Sequence, residues 1–348
     1  METMRAIGFD RHLPITENRS LLDITVPVPT MKPHDLLVKV AAVSVNPADV
    51  WDRGASEELL DESKIIGWDA VGVVVDHGSD VTLFKTGERV FYAGSFIRQG
   101  SDAQYQVVDE RIVGHAPTSL ADDAAAAMPL TSLTAYEALF EQLQIPFDSD
   151  KPVAANHNKT ILIINGAGGV GSVATQLAKL AGLKVIATAS RPETTDWTKA
   201  HGTDCVVNHR LDLITEVRKL GIQYVDYILG LNDIDGHWDE MCELIKPGGR
   251  MASVTENHEP INLRKMSRKR GTFAWEWMFS KSYYQTADMV TQHEILDRVA
   301  QLIDTNELVS TKTKTLSPIN AENLKKAHQM VEQGHMIGKV VLQGWPNN

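Results

Sequence analysis

Between Ile161 and Ser172 the chain reads Ile-Leu-Ile-Ile-Asn-Gly-Ala-Gly-Gly-Val-Gly-Ser, an aliphatic run that breaks into glycines and leads at once into a helix-like stretch, Val173 to Ala181. A buried parallel strand takes aliphatic residues on both faces, and the glycines then let the backbone turn tightly and approach a pyrophosphate closely. The phosphate would sit on the helix N-terminus, where N–H groups and the helix dipole favour negative charge. Gly166, Gly168, Gly169, Val170 and Gly171 are therefore the expected dinucleotide contacts. Glycine-rich turns are common, so the assignment rests on context. A strand precedes, a helix follows, and a second apolar strand, Leu183 to Ala189, comes where a βαβ unit requires it.

The tip of that second strand bears on cofactor choice. Sites selective for NAD place an Asp or Glu there for the ribose 2′-hydroxyl, whereas this tip reads Thr188-Ala-Ser-Arg-Pro192. A hydroxyl and a guanidinium, Ser190 and Arg191, suit a 2′-phosphate. NADPH is the expected cofactor. Glu193 is expected to open the next helix, and the alternative for Arg191 is a solvated turn residue before Pro192.

Composition excludes several other functions. The 348 residues are 43% hydrophobic, enough for substantial cores. No run approaches the roughly 18 apolar residues of a membrane span. Met1-Glu-Thr-Met-Arg5 lacks the regions of a signal peptide, so cytoplasm is the expected compartment. With 34 basic and 45 acidic residues the net charge is −11, which disfavours nucleic acid. The basic run Arg264 to Arg270 is expected to be a solvated loop. Two cysteines, Cys205 and Cys242, in no CxxC arrangement, support neither a disulfide framework nor a structural zinc lobe.

Around these residues the first 115 or so positions carry short β-branched runs, Leu36 to Val45, Ala70 to Val75, Arg89 to Tyr92 and Tyr105 to Val108, a mostly β pattern. A helical stretch from Ala121 to Gln142 and a polar connection from Pro146 to Asn158 lead into the nucleotide strand. Strands at Asp204 to Val207, Tyr224 to Leu229 and Arg250 to Val254 then alternate with helices at Leu211 to Lys219 and Gly236 to Ile245, which implies a doubly wound parallel sheet. Thr272 to Met278 reads as a further strand. From Met289 onward two amphipathic helices flank a β segment, Val309 to Leu316. Ser253 and Thr255 end a strand on the side where ligands of parallel sheets bind, and are expected to face the nicotinamide.

Ser44-Val-Asn-Pro-Ala-Asp49, Gly67-Trp-Asp-Ala-Val-Gly-Val-Val74, Gly87-Glu-Arg-Val90, Gly100 to Tyr105, Pro129-Leu-Thr-Ser-Leu-Thr-Ala-Tyr136, the glycine turn, Lys246-Pro-Gly-Gly249 and Gly338-Lys-Val-Val-Leu342 together span nearly the whole chain. In this order they resemble the medium-chain dehydrogenase/reductase superfamily. The chain is most similar to its zinc-free quinone oxidoreductase branch, and there to proteins often called zinc-type alcohol dehydrogenase-like, through Trp275 to Phe279 and Gln285 to His293. The resemblance implies an α/β chain with a GroES-like, mostly β catalytic domain at 1–128, joined by a returning segment 281–348, and a Rossmann NADPH-binding domain at 129–280. It also implies a homodimer paired through the edge strand.

In this family a catalytic zinc is held by a Cys near position 46 and a His at position 68. Here Asn46, Pro47 and Trp68 stand in those places, and neither an amide oxygen nor an indole is a reasonable zinc ligand. No metal is expected. A substrate whose own conjugation accepts hydride is then required, a quinone or an α,β-unsaturated carbonyl. By resemblance Asn46 lies beside the nicotinamide and can donate to a developing oxyanion, its alternative being a turn residue. Trp51 stands where relatives often carry Tyr, and indole cannot deliver a proton. Thr131 and Tyr136 fall on the linking helix, the first near the nicotinamide and the second more suited to packing. His209 falls where relatives place Tyr near the adenine, able to stack or add charge, and Lys339 is expected to reach the cofactor. Asp69 is expected to be structural. Other readings are a 2-enoyl thioester reductase, a zinc alcohol dehydrogenase, or an NADPH-binding protein with little catalysis.

Overall fold

A computed structural model describes residues 2–55, 59–148, 151 and 153–346. The chain divides into two compact units, Met1–Leu130 with Phe279–Asn348, and Thr131–Met278. In the first lie β1 (Thr3–Arg11), β2 (Leu22–Pro27), β3 (Asp35–Ser44), α1 (Pro47–Gly54), β4 (Leu59–Lys64), β5 (Ala70–His77), β6 (Arg89–Tyr92), β7 (Tyr105–Asp109), β8 (Val113–His115) and α2 (Asp122–Ala126). The boundary falls inside α3 (Pro129–Tyr136). The second unit continues with β9 (Thr160–Ile164), α4 (Gly169–Leu180), β10 (Lys184–Thr188), α5 (Pro192–Ala200), β11 (Cys205–Val207), α6 (Leu213–Lys219), β12 (Val225–Gly230), α7 (Ile234–Leu244), β13 (Ile245–Ser253), α8 (Arg264–Ser267) and β14 (Thr272–Trp275). The chain then returns to the first unit through α9 (Ser280–Tyr284), α10 (Thr291–Asp304), β15 (Lys312–Leu316), α11 (Ala321–Glu332) and β16 (Lys339–Gln343).

Among the described residues the second unit holds one six-stranded sheet of order β11-β10-β9-β12-β13-β14, with every neighbouring pair parallel. Counted within the unit this is 3-2-1-4-5-6, the Rossmann order. The aliphatic runs explain it: β9 is buried at all five positions, and Leu162, Ile186 and Ile228 pack with Trp238 and Met251 in one core. The basic run is partly helical rather than a plain loop. Lys269 places its Nζ on the carbonyls of Cys242, Glu243 and Ile245 at 2.9, 2.6 and 2.8 Å, where the C-terminal end of α7 favours a cation.

In the first unit β3 is central, pairing antiparallel with β5, β7 and β16 in a sheet of path β15-β16-β3-β5-β6-β8, beside a smaller sheet β2-β1-β4. This is the GroES-like part. The C-terminal strand β16 thus pairs with residues almost 300 positions earlier, Val341 opposite Ser44.

One expected helix is divided. In place of a continuous helix from Ala121 to Gln142, α2 ends before Pro129, α3 begins there, and Glu137–Gln142 continues as a π-helix. Proline removes an N–H and clashes with the preceding turn, so it starts helices rather than continuing them. The expected strand at Thr272 to Met278 stops at Trp275. Of the connection from Pro146 to Asn158, residues 149, 150 and 152 lie outside the described residues. No helix among the described residues is long and apolar enough to cross a membrane.

Candidate functional site

In the nucleotide unit the glycine turn is held by the neighbouring strand. Asn165, at φ 69°, donates its N–H to Thr188 Oγ1 at 2.9 Å, and Gly166 N–H donates to the Thr188 carbonyl at 3.1 Å. A Cβ at Gly171 would lie 2.3 Å from the Asn165 carbonyl oxygen, and one at Gly166 would lie 2.6 Å from Ala187 Cβ. Only glycine permits α4 and β10 to close on the turn in this way. Gly169, Val170 and Gly171 form the first turn of α4, with Gly168 as its N-cap. First-turn N–H groups have no intrahelical acceptor, so this cradle fits an anionic pyrophosphate.

Ser190 is half-buried beyond β10, and Arg191 is the N-cap of α5. The Arg191 Nε lies 3.0 Å from Glu193 Oε1 in the first turn of that helix. A 2′-phosphate would therefore meet a guanidinium that already has one carboxylate beside it. His209 follows β11 half-buried, with Nδ1 lacking a hydrogen-bond partner. Burial, with His237 and Arg210 nearby, pushes its pKa down. It suits stacking or a neutral hydrogen bond better than the added charge expected from sequence. Ser253, fully buried at the end of β13, closes on Thr255: its Oγ donates to the Thr255 carbonyl at 3.0 Å and accepts the Thr255 N–H at 3.2 Å. Thr131 is buried on α3. Tyr136 packs edge-on against Phe140 and Phe147, ring centroids 4.7 and 5.9 Å away.

The first unit holds a buried polar cluster centred on Asp69. Its Oδ1 accepts the Leu130 N–H at 2.8 Å, and its Oδ2 accepts from Asn46 Nδ2 at 2.9 Å and from Lys339 Nζ at 3.0 Å. Lys339 also donates to the Val45 carbonyl at 3.0 Å and to Asn46 Oδ1. An ammonium has three donors, and all three are engaged. Lys339 therefore belongs to this cluster and has no donor left for a cofactor. The Asn46 amide is also committed, its nitrogen facing Asp69 and its oxygen facing Lys339. The expected oxyanion donor is instead a bridge within the cluster. Burial raises the pKa of Asp69 against the opposing Lys339 charge.

Asp49 opens α1 and accepts the Asn46 backbone N–H at 2.6 Å. Burial pushes its carboxyl up to about 7, although that hydrogen bond and the Lys339 charge work in the other direction. Asp102 is buried and raised well above the usual range by desolvation and then by Asp49. Gly67, at φ +117°, leaves no room for a Cβ beside Ser101 Oγ and sets Trp68 stacked on Phe96, centroids 4.0 Å apart, with Phe279 edge-on at 5.8 Å. Trp51 is different. It is 65% exposed on α1, outside this cluster, so a catalytic role finds no support in its surroundings.

This donor set does not fit a zinc ion. Trp68 offers no lone pair, the Asn46 oxygen faces an ammonium, and that ammonium supplies positive charge beside the only carboxylate of the Asn46, Trp68 and Asp69 set. Among the described residues no group of three or more His, Cys, Asp and Glu could hold a metal.

Sequence reasoning missed Asp49 and Asp102, and also a buried carboxyl pair in the nucleotide unit, Glu137 and Glu276. A signal for the pair was present: Glu276 is the lone carboxylate in the aromatic run Trp275 to Phe279.

Residues 32–122 match the alcohol dehydrogenase GroES-like domain, and 169–292 match the zinc-binding dehydrogenase family. A zinc-type alcohol dehydrogenase-like protein of Staphylococcus aureus is 42% identical over 339 residues, covering 97% of this chain and 99% of that protein. A chloroplastic quinone-oxidoreductase homologue of Spinacia oleracea is 28% identical over 330 residues, covering 93% and 94%. A Rhizobium etli crystal structure, provisionally described as a zinc-dependent alcohol dehydrogenase, superposes with TM-score 0.93 at 44% identity over the whole of both chains. With its GroES-like and Rossmann parts, the chain belongs to the zinc-type alcohol dehydrogenase-like proteins of the medium-chain dehydrogenase/reductase superfamily, a superfamily of oxidoreductases.

Proposed function

We propose that this oxidoreductase uses NADPH to reduce a quinone or an α,β-unsaturated carbonyl without zinc. The observation that carries the reading is the Lys339 ammonium bonded to Asn46, which stands where the family's Cys ligand would, and to Asp69, the neighbour of Trp68, which stands where its His ligand would. The zinc in the relatives' name does not carry over to this donor set. A nicotinamide cofactor, when bound, supplies hydride from C4, and a conjugated acceptor needs no metal to polarise it. The N–H groups of Gly169 to Gly171 would hold the pyrophosphate, and Ser190 and Arg191 the 2′-phosphate.

We take residues 1–128 with 281–348 as the substrate-binding domain and 129–280 as the nucleotide domain. We further propose a homodimer paired through β14, an edge strand that ends in Trp275 and is followed by Trp277, both 43% exposed, since an apolar sheet edge invites pairing. Titration with NADPH and NADH, followed by turnover on quinones and enones, tests the proposal. Arg191→Ala should weaken NADPH binding about 10- to 100-fold and leave NADH within about twofold, the weight of one or two charge-assisted hydrogen bonds. Equal losses for both cofactors contradict the 2′-phosphate assignment.

A further inference from the structure

Backbone N–H groups grip an anion only if the peptides that carry them are held at the right angle, and glycines, the most permissive residues, supply no such hold themselves. Here the hold comes from outside the turn. We infer that Trp197, on α5, is a positioning residue of the pyrophosphate cradle: acting through the Ser172 hydroxyl, it fixes the peptide whose Gly169 N–H faces the ligand. The inference rests on the nucleotide-binding reading above.

The Trp197 Nε1–H donates to Ser172 Oγ at 2.8 Å, and Ser172 Oγ lies 2.7 Å from the Gly168 carbonyl oxygen. Indole nitrogen is a donor only and a carbonyl an acceptor only, so the direction of both bonds is fixed: N–H to hydroxyl, hydroxyl to carbonyl. The same carbonyl also accepts the Ser172 backbone N–H at 2.9 Å. Two bonds from one residue settle the tilt of the Gly168–Gly169 peptide. In a trans peptide the C=O and N–H point opposite ways, so a carbonyl held along α4 aims the Gly169 N–H back past the start of the helix, toward the cradle. Ser172 is fully buried, and its hydroxyl acts on this carbonyl rather than on a ligand. Each bond of such a chain polarises the next, so the indole also strengthens the dipole offered to an anion.

Trp197 is itself held. His201, one turn on, stacks on the indole with ring centroids 4.2 Å apart, and its Nδ1–H donates to the Trp197 carbonyl at 2.8 Å. Thr198, fully buried, packs on the glycine turn: a Cβ at Gly166 would lie 3.1 Å from its methyl group. Two consecutive residues of α5 thus reach the cradle, and the same helix has Arg191 as its N-cap. One element therefore braces the pyrophosphate end and carries the residue proposed for the 2′-phosphate.

Calorimetric titration of the full chain with NADPH and with NADH is the test. Trp197→Phe keeps an aromatic ring beside His201 and removes the N–H. Both Kd values should rise about 5- to 10-fold, the weight of one hydrogen bond, and by the same factor, since the two cofactors share the pyrophosphate. Ser172→Ala removes the middle of the chain and should cost at least as much. The double variant should then bind no more weakly than Ser172→Ala alone, because the indole has nothing left to act through. Additive losses would make Trp197 a packing residue of α5 and overturn the inference, as would unchanged Kd values in Trp197→Phe or a loss confined to NADPH. Should Trp197→Phe fail to fold, wild-type affinity in Ser172→Ala overturns it alone. A wild-type chain that binds NADH but not NADPH breaks the 2′-phosphate reading and leaves this test to run on NADH, whereas one that binds neither removes the nucleotide site and the inference with it.

Discussion

The phosphate cradle of the nucleotide unit and the Asp69 cluster of the GroES-like unit are both polar sites, built by opposite means. The cradle is made of backbone: a strand stops, glycines allow α4 to begin against the turn, and the first-turn N–H groups have no intrahelical acceptor. The cluster is made of side chains that engage one another, Lys339 with Asn46 and both with Asp69. A backbone site stays available to a ligand because its groups have no other acceptor. A side-chain cluster that satisfies itself contributes rigidity and local potential, and its members are poor candidates for direct contact with substrate.

The strongest way to break this comparison is to remove the cation. Lys339→Met leaves Asp69 buried without its counter-charge, which should lower stability by about 3–5 kcal/mol in urea unfolding. The cradle, by contrast, should keep its NADPH affinity in whatever fraction remains folded. A variant within about 1 kcal/mol of wild type would show that the cluster does not depend on its ammonium.

A smaller effect should appear at Asp49 as a dependence on pH. Its carboxyl titrates at about 7 in the folded chain and near 3.9 when unfolded. A raised folded pKa means that the protonated acid stabilises the fold below about pH 4 and that this contribution is lost as pH rises toward 7. Asp49→Asn should therefore gain roughly 2–4 kcal/mol relative to wild type between those limits. A difference that does not change with pH would place the Asp49 charge in solvent rather than in the cluster. Smallest of all, Trp51→Ala should change stability by less than about 0.5 kcal/mol, as exposed positions do, with kcat within about twofold. A large loss of kcat there would return Trp51 to the site.

The contrast also explains what could be read from the residues alone. The cradle was legible because its causes are local: β9 and β10 have aliphatic centres, Ile161 to Ile164 and Val185 to Ala187, and the glycines lie within six positions of one another. The parallel sheet followed from the alternation of strands and helices. Strands β1, β2 and β4 escaped because their residues mix charges with apolar positions, as in Leu59-Leu-Asp-Glu-Ser-Lys64. The role of Lys339 was not legible. Its partners lie 293 and 270 positions away, and only the pairing of β16 with β3 brings them together. Asn46, expected beside the nicotinamide with a turn before Pro47 as the alternative, is the extended N-cap of α1, and what its amide faces depends on that same distant lysine.

The most direct test of the central claim is NADPH oxidation with an enone acceptor before and after exhaustive treatment with a zinc chelator, metal content being measured on the same sample. Metal-free hydride transfer predicts substoichiometric zinc and a rate unchanged by chelation. A rate abolished by the chelator and restored by added zinc would contradict it.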